Sequence, residues 1–373
     1  MEIYVHVPFC VKKCNYCDFL SAPADDITVS SYVNSLIREI RHKADLFEVK
    51  EEISSVYFGG GTPSVLNEKQ IGAIIEALRD EFPLENCAEI TIEVNPKTVD
   101  KGKLEFLKKT GFNRLSIGMQ STFDDELKML GRIHTYDDFI ETFTNARDAG
   151  FMNINVDVMT ALPGQDEKKL NTTLKRVVGF NPEHISAYSL IIEPGTPFYE
   201  KYGDIEGPVV GEELERKLYW QTVSYLEQNG YSHYEISNFS KKGFESRHNC
   251  GYWTRVPYLG VGLGASSCLA NERTRNEKSL SKYLENPFGY CEVNELSQKD
   301  IIEEYFYLGL RMTKGVDLKR FSSEFGMDAK GLYKDTIKDL KENGLISEQG
   351  GCLALTDKGT DYGNYVFSRF LLD

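Results

Sequence analysis

The chain has 373 residues, 41% of them hydrophobic and 27% charged, with a net charge of −14. That is the make-up of a globular protein with room for one large domain and a smaller one, and its acidity argues against non-specific binding to nucleic acid or to an anionic membrane. No stretch approaches the roughly 20 apolar residues of a membrane span, the N-terminus has no signal-peptide pattern, and eight cysteines in that setting read as reduced thiols in the cytoplasm.

The first predicted strand, Ile3–Val7, runs into Cys10-Val11-Lys12-Lys13-Cys14-Asn15-Tyr16-Cys17. The spacing C-x3-C-x2-C can hold three corners of an iron–sulfur cube and leaves the fourth iron open to a small chelating molecule. A structural zinc knot is the competing reading, because His6 would complete four ligands as H-x3-C-x3-C-x2-C. An odd local group of thiols argues against disulfides, and Asp18 after Cys17 excludes a c-type haem attachment. The other five cysteines are scattered and are expected mostly as small buried hydrophobes.

Further strands are predicted at Ser54–Phe58, Glu89–Val94, Arg114–Met119, Asn153–Val158 and His184–Leu190. Between them lie helical patterns. Tyr32–Leu46 has Leu36, Ile37 and Ile40 on one face, and Glu68–Arg79 has Ile71, Ile74, Ile75 and Leu78. Six β-then-α units in series predict an α/β fold with a parallel sheet and crossover helices. Six is fewer than the eight of a closed barrel, so the expectation is an open, incomplete (β/α)6 barrel of the TIM type. Polar and glycine motifs fall at the predicted carboxyl ends of the strands, where such folds collect their chemistry. They are the cysteines, Gly59-Gly60-Gly61-Thr62-Pro63, Glu93-Val94-Asn95-Pro96, Gly118-Met119-Gln120-Ser121 and Asp157.

Beyond residue 200 the pattern changes. Gly211–Asn229 reads as one amphipathic helix, and residues 230–290 are rich in aromatics, Gly and Asn. Gly260-Val261-Gly262-Leu263-Gly264-Ala265 satisfies the dinucleotide pattern G-x-G-x-x-A, but no helical face follows, so it reads as a close-packed turn. From about Asp300, helices precede the hairpin Ile346–Leu353, a small α+β, winged-helix-like arrangement. Without a basic recognition helix it reads as a cap or docking module. The expected organisation is 1–210 for the barrel, 211–298 for a connecting region and 299–373 for the C-terminal domain.

The cysteine spacing, Tyr57-Phe58-Gly59-Gly60-Gly61-Thr62-Pro63, Glu193-Pro194-Gly195-Thr196-Pro197 and Tyr234-Glu235-Ile236-Ser237-Asn238-Phe239 together resemble the radical S-adenosylmethionine (SAM) family. The branch resembled contains the oxygen-independent coproporphyrinogen III dehydrogenases and the HemW haem chaperones. The resemblance implies a 4Fe-4S cluster on Cys10, Cys14 and Cys17, and SAM near Tyr4, Tyr16, Gly60, Gly61, Thr62, Glu93, Gln120, Arg132 and Asp157. Two departures set the chain apart from the dehydrogenases. Phe19 stands where they carry a fourth cysteine, and the chain begins almost on the first strand. His248-Asn249-Cys250-Gly251-Tyr252-Trp253 matches the H-N-x-x-Y-W motif of the chaperones. There His248 is the expected haem ligand, Cys250 an alternative thiolate, Tyr252 and Trp253 packing surfaces for the porphyrin, and Arg247 and Arg255 partners for propionates. The expected activity is haem binding and delivery to an apo-haemoprotein, with an unnamed electron donor. The resemblance leaves room for a homodimer and for peripheral membrane attachment through a partner. Oxidative decarboxylation of coproporphyrinogen III is the enzymatic alternative.

Overall fold

A computed structural model describes residues 1–47 and 50–372. Six parallel strands form the barrel: β1 (Glu2–Val7), β2 (Ile53–Gly60), β3 (Leu84–Val94), β4 (Arg114–Gln120), β5 (Ile154–Thr160) and β6 (His184–Ser189). They pair in chain order, as short right-handed crossovers dictate. Their Val, Ile and Phe residues are buried because helices cover the outer face while side chains fill the inside. The fold is the incomplete (β/α)6 barrel read from the sequence, followed by the smaller α+β unit.

The crossovers are α1 (Asp26–Phe47), α2 (Glu68–Glu81), α3 (Lys101–Lys109), α4 (Asp124–Met129) with α5 (Tyr136–Asp148), and α6 (Glu167–Gly179). The α2 helix buries Ile71, Ile74, Ile75 and Leu78, and a capping box of Asn67 and Gln70 starts it. The α1 helix begins six residues before the predicted Tyr32. Its first turns, Ile27-Thr28-Val29-Ser30-Ser31, carry β-branched and hydroxyl residues of weak helix propensity, and tertiary packing overrides that preference.

Next come α7 (Pro197–Tyr202) and α8 (Glu212–Gln228), the long helix predicted at 211–229. The same sheet is then extended at both edges. At one edge β7 (Ser232–Glu235) and β8 (Asn238–Ser240) pair antiparallel beside β6. A short helix, α9 (Arg247–Trp253), leads to β9 (Tyr258–Val261), which lies parallel to β1 at the other edge. Antiparallel β10 (Ser266–Leu269), β11 (Glu272–Asn276) and, after α10 (Leu280–Glu285), β12 (Tyr290–Glu295) complete it.

The G-x-G-x-x-A segment is a turn, as read. Gly262 has φ +101°, and a Cβ there would sit 2.5 Å from the Tyr32 hydroxyl and 2.6 Å from the His6 carbonyl oxygen. Below it lies a buried ion pair. Lys43 Nζ is 2.9 Å from Glu39 and donates to the Gly260 carbonyl at 2.7 Å, while Glu39 accepts from the Gly262 amide at 2.8 Å. This network fastens α1 to the β9 turn.

The C-terminal unit starts with α11 (Gln298–Gly309) and has its own core, including Phe306, Phe321, Leu340, Leu353 and Phe370. The predicted hairpin is Ile346–Gln349 paired with Cys352–Leu355. Among the five scattered cysteines, Cys87 and Cys291 are exposed and the other three half-buried, so they are not the small buried hydrophobes expected. Among the described residues no helix is long and apolar enough to cross a membrane.

Candidate functional site

A cavity of about 460 Å³ opens at the carboxyl ends of β1 to β6. Cys10, Cys14 and Cys17 line its mouth, with Tyr16, Gly60, Gly61, Thr62, Glu93, Gln120, Arg132 and Asp157 around its wall. Residues from five strand ends thus converge, as the predicted rim required.

The cysteine loop is pinned from both sides. The Cys10 amide donates to the Ala22 carbonyl at 3.2 Å, and the Asn15 amide to that of Leu130 at 2.9 Å. The Asn15 side chain donates to the Met129 carbonyl at 2.8 Å. Two donors reach the sulfurs: Thr62 Oγ1 lies 3.4 Å from Cys10 Sγ, and Arg132 Nη1 3.6 Å from Cys14 Sγ. Burial raises the Cys17 thiol above its ordinary range. His6 is otherwise engaged, with Nδ1 3.1 Å from the Tyr4 hydroxyl and Nε2 3.0 Å from the Leu20 carbonyl oxygen, so the four-ligand zinc knot loses its imidazole. Three thiols on one anchored loop, two of them met by donors, fit a cubane held at three corners.

Behind the cysteines the cavity holds opposed charges. Burial, then the neighbouring Asp157, lifts the Glu93 carboxyl to about 8, and Tyr57 donates to it at 2.9 Å. Burial also raises Asp157, against the hydrogen bond from Asn155 at 2.7 Å. Arg114 and Arg132 each keep a buried Nε with no protein partner. Unsatisfied buried donors at a cavity wall point to a ligand acceptor. Gly60 has φ +108°, and a Cβ there would press on the His6 ring at 2.5 Å, so only glycine permits the backbone its approach. Gln120 also sits in the left-handed region, at φ +69°, and accepts from the Tyr188 hydroxyl at 3.0 Å. Non-glycine residues held there often mark functional sites.

Sequence reasoning assigned no role to Tyr57, Asn95, Arg114 or Tyr188, all of which line the cavity. Asn95 belonged to a motif already noted at the end of the third strand. Arg114 opens a strand, and nothing in its neighbours reveals that it turns inward.

The predicted haem motif occupies α9. Ser246 caps the helix, and the Glu89 carboxylate accepts from the Arg247 and His248 amides at 3.3 and 3.4 Å. His248 is buried. Its Nδ1 lies 2.9 Å from Ser55 Oγ, its Nε2 3.2 Å from the Tyr252 hydroxyl, and its ring stacks on Tyr57 at 5.1 Å. Asn249 lines the cavity. Tyr4 and Tyr252 line a second hollow, a groove on the outer side of the cysteine loop. Trp253 lies under the Arg311 guanidinium at 4.4 Å. Cys250 is half-buried, with its thiol pushed up to about 12 by burial. Arg255 pairs with Glu304 at 3.3 Å, and Arg247 donates to the Cys87 carbonyl at 3.1 Å.

An incomplete parallel barrel with a three-cysteine loop over a charged cavity defines the class of radical SAM proteins, and the "Radical SAM superfamily" model matches residues 4–177. The "HemN C-terminal domain" model matches residues 296–362. The chain is 37% identical to "Heme chaperone HemW" of Bacillus subtilis over 99% of its length and 98% of that protein. It is 36% identical to the protein of the same name from Lactococcus lactis, over 99% and 97%. The structure of "Coproporphyrinogen III oxidase (HemN) from Escherichia coli" superposes with a TM-score of 0.86 at 25% identity, covering 99% of this chain and 89% of that one. The chain belongs to the HemW family of radical SAM proteins.

Proposed function

We propose that the chain binds haem and passes it to an apo-haemoprotein, while the cysteine loop carries a 4Fe-4S cluster and the cavity holds SAM. One observation carries this reading: end-to-end similarity to two proteins named "Heme chaperone HemW".

The side chains at the site support the cofactors. Cys10, Cys14 and Cys17 would ligate three irons, with Thr62 and Arg132 donating to two of the sulfurs. The open N–H groups of Arg114 and Arg132 suit a carboxylate. Glu93 would accept from an ammonium group and Asp157 from ribose hydroxyls, with the backbone of Gly60 and Gly61 beside the methionine end. Once bound, the cluster and SAM supply one-electron cleavage of a sulfonium carbon–sulfur bond. The rings of Tyr16, Tyr57 and Tyr188 would keep water from that space.

The similarity to the E. coli enzyme favours a second reading, oxidative decarboxylation of coproporphyrinogen III. Phe19 at the fourth-cysteine position weighs against it. The test has two arms. Haem-loaded protein mixed with apomyoglobin is expected to give up its haem, followed by the Soret band. Reduced protein given SAM and coproporphyrinogen III without oxygen is expected to form no protoporphyrinogen. Product in the second arm, or no haem binding in the first, overturns the chaperone reading.

A further inference from the structure

From its mouth at the cysteine loop the cavity runs down inside the barrel to the amino end of β4. Arg114, the first residue of that strand, lines this floor and is 2% exposed. Its Nε is fully covered and has no partner, and the side chain makes no hydrogen bond or ion pair with any described residue. A guanidinium stays protonated inside a protein. Burying that charge is costly unless an acceptor or an opposite charge meets it.

Arg132 is placed differently. Its Nη2 donates to the Gly118 carbonyl at 2.8 Å, and its Nη1 lies 3.6 Å from Cys14 Sγ, so it stands at the mouth. Arg114, Ser116 and Gly118 alternate onto the cavity side of β4. Four residues of strand put the backbone of Arg114 about 13 Å from that of Gly118. The two cations also act on separate imidazoles. Burial and then Arg132 lower His134, whereas burial and then Arg114 lower His184 and His248. A carboxylate beside the cysteine loop would therefore meet Arg132 and leave Arg114 unanswered.

The floor also selects the class of anion. Ser116, Asn155, Ser186 and Asn249 line the same cavity and carry no charge. Glu93 and Asp157 share the space, and an ionised carboxyl at either would repel a doubly charged ligand. One guanidinium balances one negative charge, and its planar fork of donors matches a carboxylate.

We propose that the floor of the cavity is a second anion site, where Arg114 holds the carboxylate of a small monoanionic organic molecule, apart from the SAM carboxylate at the mouth. This rests on the reading that places SAM beside the cysteine loop.

The test follows the thermal unfolding midpoint of the full chain carrying its cluster as sodium acetate is added at constant ionic strength, with and without SAM. A ligand that binds only the folded state raises the midpoint. Wild type is expected to respond to acetate, to bind inorganic phosphate at least tenfold more weakly, and to keep the acetate response in saturating SAM. Arg114→Met removes the charge and keeps most of the volume. It is expected to unfold no lower than wild type without acetate and to bind acetate at least tenfold more weakly. Arg114→Lys keeps the charge without the fork and is expected to weaken acetate binding at least threefold. Arg132→Met is expected to weaken SAM binding, read by equilibrium dialysis, with the acetate response intact. Either Arg114 variant answering acetate as wild type does overturns the proposal, as does a wild type that does not answer acetate. Arg114→Met that unfolds well below wild type without acetate also overturns it, because the fold itself would then satisfy the guanidinium. Loss of the acetate response on adding SAM would give Arg114 to the SAM carboxylate, ending the separate site and leaving the SAM reading in place. Wild type that binds no SAM overturns the cofactor reading itself.

Discussion

At the scale of single residues, the site is governed by groups kept in states that water would not favour. The Glu93 and Glu2 carboxyls are each raised from 4.5 to about 8, in both cases chiefly by burial. The folded chain therefore keeps protons that the unfolded chain gives up above about pH 4.5. Stability from this source is fully present below that pH and falls as pH rises to about 8. Glu93→Gln is expected to flatten part of the decline, measured as denaturant midpoints between about pH 5 and pH 8. An unchanged slope would show that Glu93 is ionised in the folded protein. The histidines act on the other side. Burial lowers His248 and His134 to about 3, so their contribution is present above 6.5 and is lost as pH falls toward 3. The cysteines stood out as a candidate metal site from spacing, because three thiols fall within eight residues, although spacing alone left zinc beside iron–sulfur. The burial of His248 against Ser55 and Tyr57 could not be read in this way, because both partners sit on β2, far from α9 in the sequence.

At the scale of elements, β1 to β6 were legible because parallel strands covered on both faces become near-continuous Val and Ile runs. The edge strands β7 to β12 were not. They are short, mixed in direction and partly exposed, so residues 232–295 show no clean period. The glycine turn at 260–265 illustrates how a pattern is separated from its usual meaning. Its glycines serve close packing over the Glu39–Lys43 pair, which no local sequence feature connects to it. Lys43→Met leaves Glu39 charged and unpaired in the core, a change expected to cost about 3–5 kcal/mol. Guanidinium unfolding checks it. A loss below about 1 kcal/mol would mean that water or Asn276 replaces the ammonium.

At the scale of the whole molecule, the barrel and the C-terminal unit have separate hydrophobic cores and meet through polar contacts. Glu304 of α11 takes both Arg255 at 3.3 Å and Arg273 at 2.7 Å, and Asp361 takes Arg216 and the Trp220 indole. Glu304→Ala would take a carboxylate from Arg273 and leave Arg255 with Glu324 alone, at 3.8 Å. Faster hydrogen exchange across residues 298–372 is expected, with the strands β1 to β6 unaffected. Equal protection in both variants would assign the interface to other contacts. Everything proposed for the cavity depends on the cysteine loop holding a metal centre. Iron and sulfide assay of the anaerobically reconstituted protein tests it most directly. The account predicts about four of each per chain, reduced to none when Cys10, Cys14 and Cys17 are all replaced by alanine. A preparation that takes up zinc alone, or no metal, would contradict it.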